Sequence, residues 1–585
     1  MVLATRTTGL VGQQPAKFNQ QSQSPILRSS LPYLVILLLG ILLYAPFASK
    51  MLYHSDSVGF SLSTEHFDLK AHQPHAPGQP LYVLTLRAVK RLTGASDNDT
   101  LVIVSVAATI LSAALFYSLS RTWFSPTTAL LLTITFLTSP VVWFNAEIAM
   151  RYPLGLLGGL AVALACRKLV QGSAVASYAA PAIWGISGGF SHDVAIILAP
   201  LLIYCSYVQR GRSKWYLPIA FALAVLAVAV WFLPLMHVSG GAGIYLKLLR
   251  EKSEGDSLLP FIFNGDFSFG LKLLLKNSTF VFVLLILGSI AALPLLLSNK
   301  LWVIRFLNAR SKFLLVWLCP GVLLHCLTTV GHSGYVLTYL PAALLLLSGM
   351  ILPEENDEGA AVALAPKRFL LLAGIGLQSS FFLFIPQQYW PPSGPGHWIT
   401  DTVLRSEIVE PTRSRIVEYD STLKVLIEEI KHRFPQKETM LIVAVGDETP
   451  RMGGIRPFYA QGKYYLPGYE QRVLYTTDQV PAFKRWGMTG SWIAEVTAQE
   501  FRLSGTNVVN VPSRIRWLVW FCDIRRQPYP FDAPWVRQPL PSGSSLVLAD
   551  LNDAPQAALH WGPFEFRHEM LGRGSAQSEK RLDYR

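Results

Sequence analysis

The sequence predicts a polytopic α-helical membrane protein followed by a C-terminal soluble α/β domain. Of its 585 residues, 51% are hydrophobic and only 15% are charged, whereas soluble proteins carry about 25% charged residues. The deficit of charge is concentrated in apolar runs of roughly 18–22 residues, the length that a helix needs to cross about 30 Å of hydrocarbon. After residue 387 the apolar runs become short and mixed with polar residues, which is typical of a soluble domain.

About eleven such runs predict a transmembrane domain over residues 31–387, preceded by a polar N-terminal tail over residues 1–30. The first run is long and has no clear small-residue cleavage site, so we expect a retained span with the tail in the cytoplasm. Two short runs are joined by Ser191-His192-Asp193, and one broken or re-entrant element is an alternative there. The predicted spans lie near residues 31–49, 100–120, 126–144, 152–168, 176–190, 193–208, 215–236, 278–298, 313–330, 335–351 and 368–387.

The distribution of basic residues predicts the orientation of these spans. With the N-terminus inside, the inside loops are rich in cations, as in residues 209–214, and the outside turns carry few, with Arg151 as the exception. The formal net charge of +13 is therefore assigned to topology, and no nucleic-acid partner is predicted. The first external loop, residues 50–99, and the soluble domain, residues 388–585, are both expected on the periplasmic or extracytoplasmic side of a plasma or inner membrane.

Several enzyme classes lose support because their motifs are missing. The sequence has no P-loop, no GxGxxG after a strand and no HExxH, which argues against nucleotide-sugar and ATP-dependent chemistry. One GxSxG match, residues 185–189, falls inside a predicted span and not at a strand-to-helix turn, so serine-hydrolase chemistry has no support either. Its five cysteines have no disulfide framework or CxxC spacing, and no His/Cys cluster has zinc spacing. No cofactor is predicted, although a divalent metal held by Asp56 and histidines is an alternative.

The soluble domain has mixed helix and strand signals. Apolar residues at helical spacing predict an amphipathic helix over residues 419–433. Buried strands are predicted at residues 440–445, 515–521 and 545–548, and the polar residues from about 572 onward are expected to be disordered. An aromatic and basic cluster around Tyr464 and Tyr465 either stacks on a sugar or lies at the membrane interface.

A polar loop directly after the first span is the most specific candidate site. Asp56 lies at the exit of the span, where a charge is costly unless it is solvated or paired, so it is a functional candidate by default. A solvated carboxylate at a helix end is the alternative. Glu65 and Asp68 follow within a dozen residues. Three prolines stiffen the loop beyond them, and Gly78 permits a close approach of the backbone to a ligand.

Cations follow on the next predicted helix, residues 81–92. Arg87, Lys90 and Arg91 lie on its polar side, where they either support a lipid phosphate or make ordinary headgroup contacts. Further along, Glu147 and Arg151 are four residues apart and can pair along one helix. Alternatively, the Arg151 guanidinium binds phosphate in a bidentate way.

Two more polar turns are predicted on the same face. His192-Asp193 is either a turn motif or a catalytic pair, and Gly331-His332-Ser333-Gly334-Tyr335 fits a tight turn between spans. Polar residues at turns are ordinary. Several turns rich in His, Asp, Glu and Tyr on one face, opposite basic turns on the other, nevertheless predict a site on that face.

One segment of the first loop, His75-Ala76-Pro77-Gly78-Gln79-Pro80-Leu81-Tyr82, follows Asp56 in a pattern that resembles the membrane-embedded GT-C glycosyltransferases. Within that class it is most similar to a protein O-mannosyltransferase-like family of bacterial membrane proteins. The family's form is closer to His-Pro-Pro-Gly-Tyr-Pro-Leu-Tyr, so Ala76 and Gln79 depart from it, which bears on the shape of the loop and on the acceptor. Further likeness lies at residues 143–147, 334–337, 340–342 and 464–467.

The resemblance implies a sugar donor linked to a polyprenyl phosphate and a catalytic acidic residue in the first external loop, which maps onto Asp56. An inverting transfer needs one carboxylate to take the acceptor's proton, because phosphate leaves well as an anion without a second acid. Cations hold the developing phosphate charge, and the candidates are Arg151, Lys70, His72, His75 and Arg87. The other candidate substrate-binding residues are Glu65, Asp68, Gly78, Tyr82, Glu147, Tyr152, His192, Asp193, His332 and Tyr335.

The leading function is therefore a glycosyltransferase that acts on a lipid-linked sugar at the non-cytoplasmic face, with an unidentified acceptor hydroxyl. A lipid or polysaccharide transporter or flippase without transferase activity is the alternative. A transporter should place ionisable residues near the middle of its spans, whereas here they cluster at the ends. A third alternative is a non-catalytic scaffold whose tail recruits partners.

Overall fold

The structure is a computed structural model that describes residues 25–256, 267–292, 309–328, 332–352, 360–385, 411–445, 455–476, 490–496, 501–524, 531, 534–552 and 559–568. Most of the predicted N-terminal tail, Gly331 and the predicted disordered tail beyond residue 572 lie outside the described residues.

The described part of the chain up to residue 385 is helical, as the apolar runs predict. Proline occupies the first turn of several helices, where its missing N–H has no intrahelical partner to lose. The helices are α1 (Pro25–Tyr44), α2 (Ser55–Glu65), α3 (Pro80–Thr93), α4 (Asp97–Ser120), α5 (Pro126–Leu137), α6 (Pro140–Glu147), α7 (Tyr152–Val170), α8 (Ala174–Phe190), α9 (His192–Val208), α10 (Tyr216–Val238), α11 (Ala242–Asp256), α12 (Phe267–Gly288), α13 (Ala309–Leu327), α14 (Leu340–Ile351) and α15 (Ala360–Phe384).

Within the described residues, fewer helices are long enough for a full membrane span than the eleven spans that the sequence predicts. By length and composition, six helical segments of the described chain qualify: Ser30–Phe47, Asp97–Ser120, Tyr152–Val170, Tyr216–Val238, Arg310–Leu327 and Pro366–Phe384. A seventh is obtained if α5 and α6 form one span, and these two are bent by 58° at their break. The break lies within the span predicted over residues 126–144, at the point where Pro140 cannot donate to the preceding turn. The helices His192–Val208, Leu274–Gly288 and Leu340–Gly349 are apolar but shorter.

The helices differ in how they face their surroundings. Within their apolar windows, α4 and α7 are 67% and 72% buried, whereas the window that contains α1 is 17% buried and that of α10 is 28% buried. An apolar helix surface that the rest of the protein leaves uncovered is unfavourable in water, whereas the hydrocarbon of a lipid bilayer suits it. The inner pair α4 and α7 therefore carries the core, and α1 and α10 have lipid-facing surfaces.

The C-terminal region contains a mixed sheet, which agrees with the predicted α/β character. The strands are β1 (Thr439–Val445), β2 (Ile455–Pro457), β3 (Glu470–Thr476), β4 (Ser491–Val496), β5 (Phe501–Ser504), β6 (Val508–Val511), β7 (Trp517–Trp520), β8 (Cys522–Ile524), β9 (Val536–Pro539), β10 (Ser545–Asp550), β11 (Leu559–Trp561) and β12 (Phe564–His568). Seven of them form one sheet in the order β5-β4-β3-β1-β7-β10-β9, and β1 pairs in parallel with both β3 and β7. Helix α16 (Arg413–Arg433), which precedes β1, contains the helix predicted over residues 419–433, and the short helix α17 (Tyr459–Tyr465) precedes β3.

Candidate functional site

Asp56 lies in the first turn of α2, directly after the segment that leaves α1. The side chain of His54 caps this helix: its Nδ1 accepts the backbone N–H of Asp56 at 3.1 Å, while the hydroxyl of Ser57 accepts the N–H of His54 at 3.3 Å. The N-terminus of a helix carries partial positive charge and stabilises a carboxylate. The Asp56 side chain is 22% exposed, so a charged oxygen is held in place and still reaches solvent.

Two histidine rings lie beside the Asp56 carboxylate, and they differ in what they can do. Oδ1 of Asp56 is 3.4 Å from Nδ1 of His75 and 3.8 Å from Nδ1 of His54. Because the His54 Nδ1 already accepts an amide hydrogen, it carries no proton to share with the carboxylate. His75 is therefore the ring that can donate to Asp56, which places this predicted residue next to the predicted base.

The loop that carries His75 is fixed by its own backbone and by α10. Asp68 and Gln73 exchange two backbone hydrogen bonds, of 2.7 and 2.8 Å. Gly78 has φ of +103°, and an added Cβ would lie 3.0 Å from Leu69 Cδ2 and 3.1 Å from Leu235 Cδ1. The close approach predicted at Gly78 is thus an approach to these two side chains.

Replacing Gly78 by alanine tests how far this packing controls the site. We expect Gly78→Ala to destabilise the protein by about 3 kcal/mol, because a left-handed backbone and an overpacked contact are both unfavourable for a Cβ. Gly94→Ala is the matched control: its φ is +64°, and nothing lies within 4 Å of the position that a Cβ would occupy there. That control should cost about 1 kcal/mol from backbone strain alone. Thermal unfolding of both purified variants is the measurement, and equal shifts in the two would contradict the packing role.

Arg151 lies on the turn next to α2 and is buried. The Ser57 hydroxyl donates to the carbonyl of Ala149 at 2.5 Å, which ties the first turn of α2 to the turn that precedes Arg151. The guanidinium Nη1 donates to Ser191 Oγ at 2.7 Å and to Asp193 Oδ2 at 3.2 Å. The predicted turn residue Asp193 is therefore the ionic partner of Arg151.

The pairing of Glu147 with Arg151 along one helix is wrong. Helix α6 ends at Glu147 and α7 begins at Tyr152, so the two side chains do not share a helix face. Glu147 instead accepts the indole N–H of Trp143 at 2.6 Å and lies 3.6 Å from the guanidinium of Arg413 on α16. Its buried carboxylate connects the helical region to the C-terminal region.

Electrostatics favour a charged Arg151 in spite of its burial. Its residue is 6% exposed, and burial works against the charge, but the carboxylates of Asp193 and Asp56 contribute to holding the pKa of Arg151 above its ordinary value. Asp56 is among the charges that raise this pKa, and the Ser57–Ala149 hydrogen bond places the first turn of α2 beside the turn that leads to Arg151. The carboxylate and the guanidinium therefore form a cluster of opposite charges on adjoining segments.

Several buried polar atoms around Arg151 have no hydrogen-bond partner among the described residues. They are Nε of Arg151, the hydroxyl of Tyr82 and both ring nitrogens of His192. Arg151 interacts electrostatically with both Tyr82 and His192. Arg151 Nε, the Tyr82 hydroxyl and one ring nitrogen of a neutral His192 are donors. Because buried polar groups are normally satisfied by protein, water or ligand, these donors can bind an oxygen-rich anion or ordered water.

Aromatic contacts connect the polar turn at residues 332–335 to Arg151 and to His54. The ring of His332 stacks on Tyr152 at 5.1 Å and meets His54 edge-on at 5.4 Å between centroids. Tyr152 also contacts Tyr335, at 5.2 Å, and lies under the Arg151 guanidinium at 4.9 Å. The polar turns predicted around Arg151, at His192-Asp193 and at residues 332–335 therefore meet beside the segment that carries Asp56.

Other predicted site residues hold the loop and its flanking helices. Arg87 donates to the carbonyls of Ser63 and Thr64 at 2.8 Å each, which caps the end of α2. Glu65 pairs with Lys90 at 2.7 Å, and an oxygen of Asp68 accepts the backbone N–H of Lys70 at 2.8 Å. His72 lies in the same turn with φ of +56°. A substrate role for these residues stays a prediction.

Two members of the site were missing from the predicted set. His54 stands at a helix start, and a capping residue before Ser-Asp-Ser is a local signal that could have identified it. His325 on α13 is buried, bonds the hydroxyl of Tyr339 at 3.1 Å and packs against Tyr335 at 5.2 Å. It lies in an apolar run, so the sequence holds no local signal for its position near the site. Within the described ranges, no three His, Cys, Asp or Glu side chains are grouped so that they could hold a metal ion.

No protein-family model matches the sequence, and no curated protein matches it. Solved structures with a similar arrangement include ArnT from Cupriavidus metallidurans bound to undecaprenyl phosphate, with 12% identity, a TM-score of 0.47, and coverage of 82% of this chain and 98% of ArnT. The apo form of ArnT from the same organism has 13% identity and a TM-score of 0.45, with coverage of 79% of this chain and 95% of ArnT. The oligosaccharyltransferase of Archaeoglobus fulgidus in its apo form has 13% identity and a TM-score of 0.37, with coverage of 60% of this chain and 56% of that protein. The narrower resemblance to a protein O-mannosyltransferase-like family stays a prediction.

Proposed function

We propose that this protein is an inverting glycosyltransferase that moves a sugar from a polyprenyl-phosphate donor to an acceptor hydroxyl, with Asp56 as the general base. One observation carries the proposal: near the exit of the first span, a partly exposed carboxylate and a buried arginine lie on adjoining segments that the Ser57–Ala149 hydrogen bond joins. The Nε of that arginine has no hydrogen-bond partner among the described residues. A lipid-linked donor presents its phosphate at the same level, where hydrocarbon meets water.

The chemistry follows from these two charges. Asp56 takes the proton of the acceptor hydroxyl as its oxygen forms a bond to the anomeric carbon of the sugar. The bond from that carbon to the phosphate oxygen breaks on the opposite face, and its electron pair stays on the phosphate. Arg151, with the hydroxyl of Tyr82, stabilises the charge that develops on the leaving phosphate. His75 donates to the Asp56 carboxylate and keeps it oriented toward the acceptor.

The position of the site is consistent with a lipid substrate on the non-cytoplasmic side. The basic loops predicted to lie inside the cell are at the other ends of the spans, so the cluster around Asp56 is assigned to the periplasmic or extracytoplasmic face. The lipid chain of the donor remains in the bilayer while its phosphate and sugar reach the cluster. The resemblance of the loop 75–82 to GT-C enzymes supports the same assignment.

The purified full-length protein in lipid nanodiscs tests this function directly. A panel of polyprenyl-phosphate sugars labelled in the sugar is added with crude acceptor fractions, and we expect release of polyprenyl phosphate with transfer of the label to a water-soluble or lipid product. Cleavage should require the protein and proceed with inversion at the anomeric carbon. Movement of a labelled donor across vesicle membranes with its sugar–phosphate bond intact would instead support a transporter, and neither cleavage nor movement with any donor would overturn the proposal.

A further inference from the structure

The five residues that directly precede the His54 cap, residues 49–53, are held mainly by the C-terminal region. From the helical region, the N–H of Ser49 donates to the carbonyl of Glu147, and the amide of Asn98 donates to the carbonyl of Ser49, both at 2.8 Å. Beyond Ser49, the backbone lies against α16 and α17. The residues that lead into Asp56 are thus in contact with both regions of the protein.

Asp420 on α16 is the main acceptor for this segment. Its Oδ1 accepts the Ser49 hydroxyl at 2.7 Å and the N–H of Met51 at 3.2 Å, and its Oδ2 accepts the N–H of Lys50 at 2.6 Å. These residues are about 370 positions apart in the chain. Hydrogen bonds to a charged acceptor are stronger than neutral ones, so this carboxylate fixes two consecutive backbone amides.

The next residue, Leu52, is held on both sides of its backbone. Its N–H donates to the hydroxyl of Tyr465 on α17 at 3.0 Å. Its carbonyl accepts the hydroxyl of Tyr419 at 3.2 Å and the amide of Gln461 at 3.3 Å. Three consecutive N–H groups, at residues 50, 51 and 52, therefore donate to side chains of α16 and α17.

The contact continues to the edge of the site. The ring of Tyr53 lies between Tyr419, at 4.5 Å, and Phe144, at 5.4 Å. His54 follows at once and caps the helix that carries Asp56. No residue of free loop separates the segment held by the C-terminal region from the predicted base.

We propose that α16 and α17 set the position of Asp56 by holding residues 49–53, with Asp420 as the positioning residue. For its kinetic consequence this inference rests on the proposed function. A change in α16 or α17 then alters the position of Asp56 without any contact between these helices and the substrate. In this sense the C-terminal region is part of the catalytic arrangement. Burial raises the pKa of Asp420, while the bonds from Lys50, Ser49 and Met51 oppose that effect, so a neutral side chain at this position relieves a desolvation cost and is compatible with folding.

The experiment uses Asp420→Asn in the full-length protein, read by hydrogen exchange and by kinetics. Asparagine keeps the shape but has one acceptor oxygen, so it cannot hold all three donors. We expect the backbone amides of residues 50–57 to exchange about tenfold faster, since one bond to a charged acceptor is lost, with β1 protected as in the wild type. We expect kcat to fall about tenfold with the donor KM within twofold, because orientation and not binding is changed.

Two further variants complete the test. Ser49→Ala removes only one of the three donors and should show a smaller effect in the same peptides. Glu428→Gln, a change at an exposed carboxylate on the same helix, is the matched control and should behave as wild type. Unchanged protection of residues 50–57 in Asp420→Asn, protection lost equally across the sheet, or wild-type kcat would each overturn the inference. If the wild type transfers no sugar, the proposed function fails, and hydrogen exchange alone decides whether α16 and α17 position the loop.

Discussion

The Asp56→Asn protein is expected to fold and insert normally and to transfer sugar about 10²–10⁴-fold more slowly. A positioned general base contributes a factor of this size to a rate, and an amide cannot take the acceptor's proton. Asparagine keeps the size of the side chain and an oxygen near His75 Nδ1, which lies 3.4 Å from Oδ1 in the wild type. The loop geometry should therefore survive. The measurement is the initial rate of polyprenyl-phosphate release in nanodiscs, with the donor at saturating concentration.

Asp99→Asn is the matched control for this change. Asp99 is exposed in the first turn of α4, and its side chain accepts the hydroxyl of Ser96 at 2.8 Å, a bond that the asparagine oxygen can also make. We expect its transfer rate to stay within a few-fold of the wild type. A wild-type rate in Asp56→Asn would remove Asp56 as the base. An equal loss in both variants would instead point to a loop whose fold depends on its carboxylates.

Local patterns predicted the elements of this protein well, because helices and strands are decided by neighbouring residues. The apolar periodicity placed α3 over residues 81–92, where the structure has Pro80–Thr93, and the amphipathic helix over residues 419–433 lies within α16. The strand predicted at residues 440–445 is β1, whose residues 440–444 are buried, as expected of a strand with neighbours on both sides. The span predicted at 126–144 consists of two helices, α5 and α6, which meet at a bend of 58°, and Pro140 in the first turn of α6 interrupts the helical hydrogen bonds there.

The site was predictable only as a set of parts. The carboxylate at the end of the first span and the polar turns on one face were visible in the sequence, and the structure brings those turns together. The partners were not visible: Arg151 bonds Asp193, which is 42 residues away, and Asp420 bonds a segment about 370 residues away. Contacts at such separations depend on how the helices pack, and a single sequence carries no periodic signal for that packing. The sequence instead suggested the nearest opposite charge, Glu147, as the partner of Arg151, and the break between α6 and α7 removed that possibility.

Arg151 provides the second large effect. We expect Arg151→Gln to lower kcat/KM for the donor by about 10²–10³-fold, because removing one charged group that stabilises a developing anion has effects of this size. Product inhibition by polyprenyl phosphate should weaken in parallel, since the same guanidinium would hold the phosphate of the product. The measurement is the inhibition constant of polyprenyl phosphate alongside the transfer kinetics.

This substitution alone leaves Asp193 without its cation, and an uncompensated carboxylate in a largely buried setting destabilises a protein. The double variant Arg151→Gln/Asp193→Asn separates the two roles. Replacing both charges removes the unpaired carboxylate, so we expect the thermal stability lost in Arg151→Gln to return in the double variant. Transfer should stay low in both, because neither has a cation to meet the phosphate. Recovery of transfer together with stability would mean that Arg151 serves only to neutralise Asp193, and the phosphate would then have to be held by other groups of the cluster.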